Sequence, residues 1–468
     1  MSDLPKFLKE KGWQPNVSLN PALNHLGTET AFGFGAKVME VERSGKFPQV
    51  YKFHIGDTGP TTPEPIIEVA RAALADKQTK YSHFAGFPQV RENIARYWTE
   101  TRGIPITKDN IMFMPGGKPG IELTIQALLA EGDRIIIQNP GYPIYQSLAS
   151  FYTHGQEISW PARHNEKTQC LEFVVADLEK ILAQNSGIKI LCLNTPQNPT
   201  GMMLTQAQLE QIAVLAQKYN FFVLFDDIYD QIVFGGRKHF SFLSIPGMLE
   251  RTVNLNGLSK NYAMTGWRVG FVVAPAWLIE VFGRLAINKW SCVCREHQIA
   301  TGAIFGEVEI DGHKYASVQE KIAPILRADY QEYERKGNFL YDCLNLLAPY
   351  VVPNPVEGAF YIFPNFTQIL SLPYVRDTLQ IKTDKDLSEW LLREKGIAVL
   401  AGSDFGSAGA GHIRFSYAED RNKHVIPGMK YLLSIIIDWL EKSGEKSPLA
   451  KEEVEERVNQ LVNKFFSS

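Results

Sequence analysis

No stretch of this chain stays apolar for the roughly 18 residues that a membrane-spanning helix requires. The longest candidate, LLSIIIDWL, is short and is broken by Asp438. The amino-terminal MSDLPKFLKEKGW has no apolar core of the kind a secretory leader carries. Cysteine is scarce and odd in number, five in 468 residues, which argues against a disulfide framework and fits the reduced thiols of a cytoplasmic protein. Cys292 and Cys294 with His297 form only a partial ligand pattern; a zinc site needs more ligands nearby, so no metal is expected. Neither sign of charge dominates, since 48 basic against 51 acidic residues leave a net charge of -3. The chain therefore offers no basic face for nucleic acid. Internal repeats and low-complexity linkers are also missing. A 45% hydrophobic content is ordinary for a globular chain with a sizeable core, and 468 residues imply two or more structural units.

The chain has one recurring pattern, an apolar strand followed at once by small or polar residues. It occurs as IMFM then PGGK, RIIIQ then NPGYP, IKILCL then NTPQNPTG, and FFVLF then DDIY. A further run, TVNLNGLSKNYAMTGWRVGFVV, reads as a strand, a turn carrying Ser259 and Lys260, and a second strand entered through Arg268. Between these strands lie helical patterns such as GIELTIQALLAEG, TQAQLEQIAVLAQKYN and PAWLIEVFGRLAINKW. Strands alternating with helices predict an α/β unit, a mainly parallel sheet sandwiched by helices, with any ligand at the carboxyl ends of the strands. Thr205 is the expected cap of the helix that follows it, and Asn220 its stop.

The residues at those strand ends have a common chemistry. Gly116, Gly117 and Lys118 offer amides and a cation at a helix start, which suits a phosphate. Ser259 and Arg268 add phosphate donors, Tyr142 an aromatic face, Asn198 an amide, and Asp226 with Tyr229 a carboxylate and a phenol. With Lys260 able to form a Schiff base, the set suits a phosphorylated pyridine aldehyde. Five segments in order, KYSHFAGFPQVRENIA, NTPQNPTG, FDDIY, LSKNYAMTGWRVGF and HIRFSYA, resemble the class I/II aminotransferases of the fold-type I pyridoxal-phosphate (PLP) enzymes, over about Gly56 to Tyr417.

That resemblance implies a large PLP-binding domain over 57–325 with a seven-stranded-type sheet, and a small α+β domain over 326–444. It makes 1–56 an arm that packs on the small domain and reaches the partner of a homodimer with shared active sites. Residues 445–468 run past the usual end of the fold, and their apolar spacing predicts an extra packing helix.

The resemblance also assigns roles. Lys260 is the Schiff-base lysine and proton carrier; Asp226, preferred to Asp227, faces the ring nitrogen; and Asn198 and Tyr229 face the phenolic oxygen. Tyr81 reaches the phosphate of the other subunit, and Arg414 grips the substrate α-carboxylate, with Gly59 and Asn198 also at the substrate. Many relatives have a hydroxyl residue where this chain has Gly257, a departure that leaves room for Asn256 or a water. The implied reaction is transfer of an amino group from an L-amino acid to a 2-oxo acid such as 2-oxoglutarate. A PLP lyase or synthase shares the same constellation, whereas an aminotransferase-like regulator would need a basic DNA-binding unit ahead of the match. Lys118 favours an aspartate-type donor; against this stand Glu29, near the entry segment, and Trp290, which falls about where relatives place a side-chain-recognising residue that acts from the partner, neither with a motif to anchor it.

Overall fold

The computed structural model describes residues 6–10, 12 and 19–467. Its centre is a sheet of β1 (Ile111–Met114), β2 (Arg134–Asn139), β3 (Ile158–Pro161), β4 (Ile188–Asn194), β5 (Phe222–Asp226), β6 (Thr252–Gly257) and β7 (Gly270–Val273). The strand order is β1-β7-β6-β5-β4-β2-β3. The pairings among β3, β2, β4, β5 and β6 are parallel, and β7 runs antiparallel to both β6 and β1. Six strands therefore end at one edge of the sheet, and β7 begins there. That edge collects Gly116, Asn139, Asn194, Asp226, the turn after Gly257 and Arg268.

The inner strands are buried almost throughout because helices cover both faces of the sheet. Within β4 the side chains alternate. Ile190 and Cys192 pack with Ile121 and Ile125 of helix Lys118–Leu128, whereas Leu191 and Leu193 pack with Leu209 and Ile212 of helix Gln206–Lys218. The latter helix begins as its sequence predicts: Thr205 accepts from the Gln208 amide, and the Gln208 side chain returns the bond. It stops at Tyr219, and Asn220 follows with φ 54°. Strand β3 was not among the expected strands, since ISWP is short and half-exposed at the sheet edge. The arm contains a helix over Thr30–Ser44.

Helix Gln319–Asn345 leads into a second α+β layer and contains the expected boundary at 325/326 within one continuous element. That layer holds a three-stranded antiparallel sheet with Ile413–Ser416 between Tyr361–Ile362 and Leu400–Ala401. The arm joins it, because Tyr51–Lys52 pairs in parallel with Ile397–Ala398.

The terminal helix Val454–Phe466 buries Val454 and Val458 in the core of this layer, with Leu461, Val462, Phe465 and Phe466 packed against it. Lys464 adds a 2.7 Å ion pair to Asp342. Val458→Ala should cost about 2 kcal/mol, the scale of methyl groups removed from a packed core, read as a lowered melting temperature. An unchanged melt would show that this helix is not docked in solution.

Candidate active site

The sheet edge opens into a cavity of about 810 Å³. Lys260 enters it from the turn after β6, and its ammonium donates to the Gly56 carbonyl of the arm. Burial lowers its pKa to about 8; Asp57 and Glu29 oppose that shift, and Arg414 and Arg268 reinforce it. The lysine is thus easily deprotonated, as a nucleophilic amine must be.

Asp226 ends β5 and lines the cavity. Its Oδ2 accepts from the Tyr145 hydroxyl at 2.5 Å and its Oδ1 from the Ile228 amide at 3.1 Å. Burial raises its pKa to about 6, against the pull of those bonds and of Lys260. The next residue has a different environment. Asp227 contacts His239 at 2.5 Å, Arg102 at 3.1 Å and Asn254 at 3.2 Å, and lies outside the cavity lining. Burial alone would raise its pKa, but the His239 and Arg102 charges hold it below the usual carboxylate range. The chain thus presents Asp226 to a ligand and spends Asp227 on the scaffold.

Arg414, in strand Ile413–Ser416, is buried. It donates to Asn198 Oδ1 at 3.0 Å and to the His54 carbonyl at 2.6 Å, while its Nε has no partner. Burial lowers its pKa. Among the described residues no carboxylate lies within ion-pair distance of it, so a buried cation faces the cavity with donor capacity to spare. Tyr229 also lines the cavity and meets the Tyr361 hydroxyl at 3.0 Å.

At the helix start, Gly117 and Lys118 line the cavity, and Gly117 occupies the cap position without a side-chain bond. In that turn the Gly116 amide donates to the Met114 carbonyl at 2.8 Å and the Gly120 amide to the Gly117 carbonyl at 3.0 Å, and the positive end of the helix favours an anion. Gly116 has φ +89°, and a Cβ there would stand 2.2 Å from Arg268 Nη2, so only glycine lets the guanidinium close over this loop. Ser259 and Tyr142 complete this side. A phosphate cradle, an activated lysine and a buried carboxylate in one cavity fit the phosphate, aldehyde and ring nitrogen of PLP.

Four expected residues lie outside this chain's cavity, and two of them, Tyr81 and Trp290, are expected to act in the partner's site. Gly59 is not part of the lining: a Cβ on it would be 2.0 Å from the Ala418 carbonyl, so it is a close-packing glycine, and Gly56 meets Lys260 instead. Asn256 donates to the Asp227 carbonyl and accepts from the Gly257 amide through its Oδ1, and the space beside Gly257 is filled by Ile228. Trp290 packs beside the helix layer away from the cavity. Tyr81 is 84% exposed on the surface of its own chain. Cys294 groups with Glu296 and His297, all ligand atoms within 4.8 Å, and Cys292 stays outside that group.

The sequence reading missed Tyr145, His54, Tyr361 and Asn194. Tyr145 was legible, being three residues after Tyr142 and therefore on the same helix face. Asn194 ends β4 as Asp226 ends β5; it donates to the Asp226 carbonyl at 3.1 Å and accepts from the Asn198 amide at 2.8 Å. His54 and Tyr361 come from segments with no motif. A pKa raised in the folded state stabilises below the unfolded value, and that contribution disappears as pH rises through about 6. Asp226→Asn should therefore stabilise the cofactor-free protein by up to about 3 kcal/mol above pH 7 and not at pH 4. Equal melting-temperature differences at the two pH values would refute the raised pKa.

Residues 49–426 match the family model described as aminotransferase class I and II. The chain is 33% identical over 366 residues to aromatic-amino-acid aminotransferase 2 of Thermococcus litoralis, covering 78% of this chain and 86% of that one. Identity to the aspartate aminotransferase of Pyrococcus abyssi is 32% over 371 residues, 79% of this chain and 87% of that one. The structure of Thermus thermophilus aspartate aminotransferase with maleate superposes with a TM-score of 0.77 at 26% identity, covering 90% of this chain and 100% of that one. The motifs in order, the sheet with its one reversed strand and the family match over most of the length agree: this chain belongs to the class I and II aminotransferases and is a PLP-dependent transaminase of fold type I.

Proposed function

We propose that the protein carries the amino group of an L-amino acid to a 2-oxo acid, with 2-oxoglutarate as the acceptor. The observation that carries this reading is that Arg414, a buried cation with no carboxylate partner among the described residues, opens onto the same cavity as Lys260. One group grips an α-carboxylate and the other handles the adjacent α-proton. The relatives named above include both aromatic and aspartate aminotransferases, so donors of either kind, aspartate among them, belong to the reading.

PLP, when bound, supplies an aldehyde that condenses with amines and a pyridine ring that takes up the electron pair left by a departing proton. Asp226 would hold a proton on the ring nitrogen, and the positive charge there would offset the burial penalty on its carboxylate. Lys260 would link to the aldehyde and, as a free amine, would take up the proton of the substrate α-carbon. Asn198 and Tyr229 would face the phenolic oxygen, and Tyr142 would face the ring. Gly116, Gly117, Ser259 and Arg268 would hold the phosphate, whereas the Lys118 ammonium beside them is bonded to Glu29. We further propose a cytoplasmic homodimer. An aromatic side chain as exposed as Tyr81 is suited to reach a partner's phosphate site. Five free cysteines suit a reducing compartment.

Borohydride reduction of the loaded enzyme followed by peptide mapping should place the pyridoxyl label on Lys260; a label on any other lysine overturns the assignment. Arg414→Ala should depress kcat/KM for every donor by about 2 kcal/mol or more, and a loss confined to acidic donors would show that it holds the side chain instead. Mixing inactive Tyr81→Ala and Lys260→Ala chains should restore activity through hybrid dimers, whereas a fully active monomer would end the shared-site proposal.

A further inference from the structure

We propose that Glu29 sets the substrate class of this cavity by standing where the second carboxylate of a diacid would bind. The inference rests on the transaminase reading. One oxygen of Glu29 accepts from Lys118 Nζ at 2.7 Å and from the Tyr142 hydroxyl at 2.9 Å. A cation and a phenol thus hold an arm carboxylate inside the cavity in the manner in which they would hold a ligand carboxylate.

The other cations of the cavity sharpen the point. Lys52 is paired with Glu42 at 2.8 Å. Arg414 has no carboxylate among the described residues, and Arg268 stands over the phosphate loop. An α-carboxylate therefore finds a cation waiting, whereas a second carboxylate finds its two candidate partners engaged. A neutral side chain meets Val38, Met39, Ile55 and Ile121, which line the same cavity, and leaves both ion pairs intact.

The Glu29–Lys118 pair is also built to open. The two side chains are 20% and 42% exposed, and a pair that accessible to water is weak. Glu29 sits at the cap of helix Thr30–Ser44 without a side-chain capping bond, so its carboxylate can leave without uncapping the helix. Neutral amino acids bind with the pair closed; diacids bind by displacing Glu29. A transaminase that passes amino groups between the two kinds of substrate needs such a dual response.

The test uses the PLP-loaded wild-type enzyme, Glu29→Gln and the double variant Glu29→Gln/Lys118→Ala. Calorimetry measures the dissociation constants of succinate and of 4-methylpentanoate, a diacid and a neutral-tailed monoacid. Their ratio cancels differences in loading or folded fraction. Glu29→Gln should shift the ratio roughly fivefold or more towards succinate, the scale of an accessible ion pair, and the double variant should lose that gain. The ratio of kcat/KM for aspartate over leucine should move the same way. An unchanged ratio in Glu29→Gln, or a gain that survives removal of Lys118, overturns the proposal. A succinate gain in a protein that transaminates no donor would sink the transaminase reading and leave Glu29's role standing; transamination without the gain would do the reverse.

Discussion

Arg414 is the point on which the site depends. Its guanidinium binds Asn198, on the loop after β4, and the His54 carbonyl of the arm, while its own strand belongs to the small sheet. Three distant parts of the chain thus share one buried cation. Desolvating a guanidinium is costly unless its donors are paired, and two bonds leave Nε unsatisfied. The same contacts that bring the layers together therefore leave a cavity whose electrostatics favour an incoming carboxylate before any ligand arrives. Tyr361 and Phe405 enclose the cation, their ring centroids 4.6 and 4.8 Å from it, and keep it from relaxing towards water.

Charge is distributed around the cavity with the same logic. Burial lowers the pKa of Lys260, aided by two guanidinium groups, although two carboxylates lie near enough to oppose the shift. Lys118 and Lys52 are matched with carboxylates from the arm helix and its cap. The arm is thus part of the site as well as of the small layer, and the spare positive charge is left at the cradle and at Arg414.

Asp226 and Asp227 show how neighbouring identical residues acquire different chemistry. The first closes β5 at the cavity with a phenol as its partner; the second lies among Arg102, His239 and Asn254. Burial acts on both in the same direction, and the partners decide the outcome, a pKa near 6 for one and a depressed value for the other. Asp227 in turn raises the pKa of Asp226, so the scaffold pair contributes to the state of the ligand-facing carboxylate.

The sequence by itself determined six of the seven strands of the central sheet, many of the helices, the sheet edge that carries the cavity and several of the polar and charged side chains that line it. These are consequences of local pattern: apolar runs need cover on both faces, and small or polar residues at their ends can only stand at the sheet edge. It also determined Lys260, Asp226 and Arg414 through motifs whose spacing is short. Tertiary structure alone decided what comes from far away. Gly56 rather than Gly59 meets Lys260, because the close approach of Ala418 fixes the loop between them. His54 and Tyr361 join the site through pairing of the arm and the small sheet, contacts separated by hundreds of residues that leave no local signature. The engagement of Lys118 by Glu29 belongs to the same class, since an ion pair between positions 29 and 118 exists only once the arm has folded over the sheet edge.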